Sequence, residues 1–127
     1  FSDDTGLEID ALAGEPGVYS ARYAGEDSNS AANIQKVLKN LQECEDRGAS
    51  FRTVIAVVIA GKETLFEGEC KGDITKTQRG LSGFGYDPIF IPDSFNKTFS
   101  QMTKQEKGFI SHRGKAVKKL LAFLSID

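Results

Sequence analysis

Tryptophan is absent, methionine and histidine each occur once, cysteine twice and proline three times. These scarcities exclude several classes of protein. One histidine makes a zinc site improbable, and Cys44 and Cys70 have neither metal-ligand spacing nor the density of a disulfide framework. Reduced thiols in a cytosolic protein are the expected state, with Cys44 on a helix and Cys70 in a strand, both structural. The longest apolar run, Val54 to Ala60, has seven residues, against the roughly 20 that a spanning helix needs. No membrane partner is expected, and no signal-peptide pattern is visible. Internal repeats, low-complexity tracts and interdomain linkers are also missing.

What is present fits one soluble domain, residues 1–127, or a large part of one: 39% of residues are hydrophobic and 27% charged, enough for a real core. The net charge of -2 argues against a general binder of polymeric nucleic acid. Its sign is unevenly spread. Residues 1–46 carry ten Asp/Glu against three Lys/Arg, whereas residues 104–119 carry six Lys/Arg against one acid. Acidic and basic ends can meet across one cleft, with a cationic wall facing an electron-rich ligand.

Apolar alternation at Leu7, Ile9 and Ala11 predicts a strand over 5–12, broken by Pro16-Gly17. Ser28 or Ser30 can cap a helix running to about Arg47, with Ile34, Val37, Leu38 and Leu41 on one face and Gly48 as its stop. The β-branched stretch 51–60 and the stretch 64–75, joined at Gly61-Lys62, predict an antiparallel hairpin. A glycine-rich loop over 80–85 precedes a short strand over 88–91. Thr103 and Glu106 have the spacing of a capping box for a short helix. A last helix starts after Ser111, a good N-cap, with Val117, Leu120, Leu121 and Leu124 as its buried stripe.

His112 and Arg113 stand in the first turn of that last helix, where cations oppose the macrodipole. An electron-rich ligand would favour them there; a solvated turn is the other reading. Other tempting patterns fail. Pro88 occupies the place of the third glycine of a dinucleotide fingerprint beginning at Gly83, and neither Gly61-Lys62 nor Gly114-Lys115 has the spacing of a phosphate loop. Ser111 and His112 do not make a nucleophile and its base, because sequence neighbours at a helix start point apart.

Four segments in order carry a resemblance: Asp3-Asp4-Thr5-Gly6-Leu7-Glu8-Ile9-Asp10, then residues 14–25, then Ser82-Gly83-Phe84-Gly85-Tyr86-Asp87-Pro88-Ile89-Phe90, then residues 106–116. Together they are similar to the signatures of the Ham1-like inosine/xanthosine triphosphate pyrophosphatases. The resemblance implies an α/β fold with a long mixed sheet, flanking helices and a nucleotide cleft between two lobes. It implies hydrolysis of inosine, deoxyinosine or xanthosine triphosphate to monophosphate and pyrophosphate with Mg²⁺, in a homodimer. The family's amino-terminal strand, its Thr/Ser-x-Asn-x-x-Lys triphosphate loop and an upstream metal-binding glutamate find no counterpart here. Since the sequence opens on Phe1, already inside a motif, the expectation is an amino-terminally truncated domain. The competing reading is a non-catalytic nucleotide-binding fragment.

Residue by residue, the resemblance assigns Asp4 as proton acceptor and metal neighbour and Asp3 as its support. Magnesium's taste for one or two carboxylates plus water and phosphate suits such a pair; a solvated turn is the alternative. Thr5 can donate to a phosphate oxygen or simply fit a strand. The loop containing Phe84, Gly85, Tyr86 and Asp87 makes sense as a base pocket, with Phe84 offering a face for stacking. Asp87 can accept from a ring N–H or hold a neighbouring donor, while Tyr86 and Phe90 also read as core aromatics. Lys107, His112 and Arg113 supply donors and few acceptors, so a pocket they line should accept a 6-oxo purine and reject adenine. Lys115, Lys118 and Lys119 read as solvated.

Overall fold

The computed structural model describes residues 2–25, 29–81, 83 and 85–124. Four strands, β1 (Ser2–Ile9), β2 (Gly48–Ile59), β3 (Lys62–Ile74) and β4 (Phe90–Pro92), form one sheet in that order. Helices α1 (Ser30–Asn40), α2 (Lys104–Ile110) and α3 (His112–Leu124) complete it, with short 3-10 turns at Asp10–Leu12, Gly17–Arg22, Asp87–Ile89 and Phe99–Gln101.

All four described strands pair antiparallel. The physical reason is that every connection returns to the end of the sheet it left. Ile9 pairs with Ala49, which makes residues 10–47 an excursion from one corner. Between β2 and β3, Ala60 (φ 53°) and Gly61 (φ 80°) both take the left-handed conformation of a two-residue hairpin turn, and Ile59 pairs with Lys62.

Strand alternation divides the sheet into a core face and a polar face. Leu7, Ile9, Ala49, Phe51, Cys70 and Ile74 face a core shared with Ile34, Val37 and Leu41 of α1 and with Tyr86, Ile89, Phe90 and Phe99. On the other face Arg52 bridges Glu67 (2.6 Å), Glu69 (2.9 Å) and Glu8 (3.5 Å), an exposed network of modest energetic weight.

Helix α1 is shorter than expected and is capped by Asn29, whose side chain accepts from Ala32 N at 3.0 Å. Ser28, one of the two expected caps, lies outside the described residues. Beyond Asn40 the chain turns, so Cys44 lies past the helix, and Gly48 opens β2 instead of stopping α1. Arg47 enforces that turn: its guanidinium donates to the carbonyls of Leu41 (2.7 Å), Ile74 (2.8 Å) and Thr75 (2.6 Å). The expected capping box holds, with Thr103 and Glu106 exchanging bonds at the start of α2.

Helix α3 keeps its expected cap, as Ser111 Oγ accepts from Gly114 N at 3.0 Å. Its buried face differs from the expected stripe. His112 and Ala116 are buried and Leu120 packs beside Ile55 and Phe66, while Val117, Leu121 and Leu124 are 37%, 59% and 51% exposed. The helix lies so close to β3 that a Cβ on Gly68 would stand 2.6 Å from Ala116 N and collide with the His112 carbonyl. Small residues, not leucines, set that contact.

Candidate functional site

A cavity of about 500 Å³ opens between the 3-10 turn Gly17–Arg22, the strand β1 and the α2–α3 junction. Thr5, Gly85, Tyr86, Asp87, Lys107, His112 and Arg113, all singled out from sequence, line it together. Phe84, the expected stacking face, lies outside the described residues. The successive residues Thr5, Gly6 and Leu7 all border the cavity, so it runs along the edge of β1 and is not confined to one face of the strand.

The wall contributed by Ser20, Ala21, Ser30 and Asn33 is held by bonds that the sequence did not announce. Ser20 Oγ accepts from Leu7 N (2.9 Å) and donates to the Gly17 carbonyl (2.6 Å). Asn33 donates to the Ala21 carbonyl (2.9 Å) and accepts from Ala24 N (2.8 Å). Tyr86 reaches across to donate its hydroxyl to the Ser20 carbonyl at 2.6 Å, and burial raises its pKa. Ser20 sits inside the segment 14–25 that carried part of the resemblance. No periodicity signal marks Asn33, which is a polar residue beside the apolar face of α1.

On the opposite wall Lys107 Nζ lies 2.6 Å from Asp87 Oδ2, with the Asp87 side chain only 5% exposed. Asp87 thus fills the second of its two expected roles, holding a neighbouring donor. Thr5 shares a 2.8 Å hydroxyl contact with Thr53, where either group can be the donor.

The two cations at the start of α3 find their explanation inside the chain. Arg113 Nη2 meets Asp3 Oδ2 at 2.8 Å, so a carboxylate from β1 supplies the negative charge that helix electrostatics asked for. His112 is not a cation at all. Burial, then the nearby charges of Lys107, Arg113 and Lys115, lower its pKa to about 4. A neutral imidazole offers one donor and one acceptor, so Lys107 and Arg113 carry the wall's positive charge.

This shift has a sign that can be checked. His112 binds its proton more weakly folded than unfolded, so its contribution to stability is full above pH 6.5 and is lost as pH falls toward 4. The loss is on the order of 2–3 kcal/mol. Urea denaturation at pH 7 and pH 4.5 should give a larger drop for the native protein than for His112→Gln. Equal drops would dissociate His112 from the acid sensitivity.

Asp3 and Asp4 fall on opposite faces of β1, Asp3 on the core face opposite Ile55 and Asp4 on the other face opposite Val54. Asp4 is exposed and has no ion pair among the described residues. Nor do the described residues contain a group of three or more His, Cys, Asp or Glu able to hold a metal unaided. The donor set on offer is two hard carboxylates of the edge strand β1, on its opposite faces and neither of them in the lining of the cavity. That fits an ion such as magnesium, which keeps waters and completes its shell from substrate phosphate. It does not fit zinc.

The fold and cavity therefore define an α/β protein with a cleft, one wall of which carries Lys107, His112 and Arg113, with Asp3 of β1 paired to Arg113. Residues 1–123 match the Ham1 family, and the chain belongs to it. It is 54% identical over 125 residues to the dITP/XTP pyrophosphatase of Flavobacterium johnsoniae, covering 98% of this chain and 65% of that protein. Against the dITP/XTP pyrophosphatase of Bacillus licheniformis it is 51% identical over 127 residues, covering 98% of this chain and 65% of the relative. Among solved structures, the Staphylococcus aureus Ham1 protein superposes with a TM-score of 0.92 at 48% identity, covering 96% of this chain and 64% of that one. A HAM1 protein from Coxiella burnetii gives 0.93 at 43% identity, covering 99% and 66%. The chain thus spans about 65% of the length of the curated relatives it matches. The Ham1-like fold expected from sequence is borne out, with its described sheet antiparallel.

Proposed function

We propose that the protein hydrolyses non-canonical purine nucleoside triphosphates, of the inosine, deoxyinosine and xanthosine kind, to monophosphate and pyrophosphate. The convergence of Lys107, His112 and Arg113 on one cavity carries this reading, and the names of the relatives support it. A 6-oxo group is an acceptor and meets donors on that wall; the 6-amino group of adenine presents donors to donors, leaving buried groups unmatched. Phe84, Gly85 and Tyr86 belong to the loop that would hold the base.

In this reading the triphosphate extends from the base wall along the edge of β1. Thr5 donates to a phosphate oxygen, and Asp4 takes the proton of the water that attacks the α-phosphorus. Asp3 and Asp4 would hold the Mg²⁺, whose chemical contribution is to neutralise charge developing on the phosphates. Asp4 suits its role because it carries no ion pair among the described residues, whereas Asp3 is shared with Arg113. We further read residues 1–127 as belonging to a single pyrophosphatase domain of a cytosolic homodimer that acts on free nucleotides, not on polymeric nucleic acid. The free thiols of Cys44 and Cys70 and the net charge of -2 are in keeping with that.

The test is a comparison of pyrophosphate release from inosine and adenosine triphosphates with Mg²⁺, in the native protein and Arg113→Ala. The native protein should prefer inosine triphosphate strongly, and the variant should lose a large part of that preference. A variant with a uniformly lower rate and an unchanged ratio would move Arg113 from reading the base to holding phosphate. A native protein with no preference would sink the proposal.

A further inference from the structure

Phe51 attracted no attention in the sequence beyond its place in a strand, yet it lines the cavity and its ring stacks on the imidazole of His112. The centroids lie 4.7 Å apart with 18° between the planes. Phe51 is itself fixed, packed edge-on against Phe90 at 4.7 Å, and Phe99 approaches His112 from another side at 6.2 Å. Below the ring, the His112 main chain rests on Gly68 of β3, where there is no room for a side chain. Helix position and ring plane are thus set by two adjacent strands.

The consequence lies in the two ring nitrogens. Nδ1 is buried without a hydrogen-bond partner, which leaves Nε2 as the nitrogen able to meet a ligand. A neutral imidazole in such a site is better with a bare Nδ1 than with an orphaned N–H, because unpaired buried donors are the rarer defect. The proton then sits on Nε2, and His112 offers the cavity one donor.

We propose that Phe51 is a positioning residue for His112: its ring fixes the imidazole plane so that Nε2–H serves as a donor to the acceptor on the base. This rests on the base-recognition reading given above. An aliphatic side chain of similar bulk would fill the space without fixing the plane, since offset stacking is a property of two flat rings. Three charged groups bear on the imidazole: Lys107 of α2, itself paired with Asp87, and Arg113 and Lys115 of α3. From β2, Arg52 lies on the opposite face of the sheet, so the aromatic contact and not an ion pair holds the ring from below.

His112 is the chain's only histidine, so its imidazole resonances need no assignment strategy. The experiment compares Phe51→Leu with Leu41→Ala, a deletion in the same core on the α1 side, by NMR of the imidazole and by the ratio of inosine to adenosine triphosphate turnover. Phe51→Leu should shift the imidazole resonances as the ring current is lost, raise the titration midpoint by about one pH unit and cut the preference about tenfold. Leu41→Ala should lower thermal stability comparably and leave all three readouts near native. An imidazole unmoved by Phe51→Leu, or moved equally by Leu41→Ala, would overturn the proposal. So would an intact preference in Phe51→Leu when His112→Ala abolishes it. Should His112→Ala itself leave the preference unchanged, the base-recognition reading fails instead, and the imidazole spectrum alone decides whether Phe51 positions the ring.

Discussion

Asp4→Asn is expected to lower pyrophosphate release from inosine triphosphate by roughly 10²- to 10⁴-fold while nucleotide binding persists, the usual loss when a general base is removed without changing its shape. The adjacent carboxylate provides the control. Asp3 accepts from Arg113, which lines the cavity, so Asp3→Asn removes a restraint on the start of α3 as well as a charge. It should weaken inosine triphosphate binding more than Asp4→Asn does, and lower the maximal rate less. Near-normal turnover in Asp4→Asn would remove Asp4 from the chemistry. A deeper loss of maximal rate at Asp3 would exchange the two roles, in line with the side of β1 on which Asp3 lies.

Lys107→Ala should have the largest effect on stability, about 3 kcal/mol, because it strips the cation from a carboxylate almost wholly withdrawn from water. The same change should weaken the preference for inosine over adenosine triphosphate. The two effects separate in a double variant. In Lys107→Ala/Asp87→Asn the charge that needed a partner is gone, so chemical denaturation should recover most of the lost stability, whereas the preference should stay low. Recovery of both would mean that Lys107 acts only by holding Asp87 and the base is read elsewhere.

The hairpin of β2 and β3 was legible because a β-branched run, a glycine turn and a second alternating run agree with one another. Caps at Thr103 and Ser111 were legible for the same reason: local chemistry alone decides them. Misreadings arose where tertiary contact overrode local pattern. The stripe at Val117, Leu120, Leu121 and Leu124 has the right period for burial, but α3 is drawn onto β3 at Gly68, and that approach selects the face bearing Ala116. Hydrophobic periodicity weighs leucines and is blind to a contact defined by small side chains. The pairing of Asp87 with Lys107 joins positions on separate elements and has no local signature. Arg47, read as a helix residue, turned out to be a clamp on three carbonyls, which no spacing rule encodes. At the site, the motifs named Thr5, Gly85, Tyr86, Asp87, Lys107, His112 and Arg113, which line one cavity, but gave no sign that Asp3 and Asp4 stand outside its lining. The neutral state of His112 could not, since it depends on burial.

Because Ile9 and Ala49 are partners, strand pairing does not fix the length of the segment between them, which must only return Ile34, Val37 and Leu41 to the core, and loop-closure cost grows only with the logarithm of loop length. Residues 10–47 therefore behave as a cassette plugged into one corner of the scaffold, and the wall containing Ser20 and Asn33 travels with it. The wall carrying Lys107, His112 and Arg113, which we propose reads the base, is encoded after β3. Tyr86 is a stitch between the two, through its bond to the Ser20 carbonyl. A change of length or sequence in the cassette can remodel the room on its side of the cavity while the wall carrying Lys107 and Arg113 is inherited intact, provided the backbone at Ser20 keeps its place to receive that stitch.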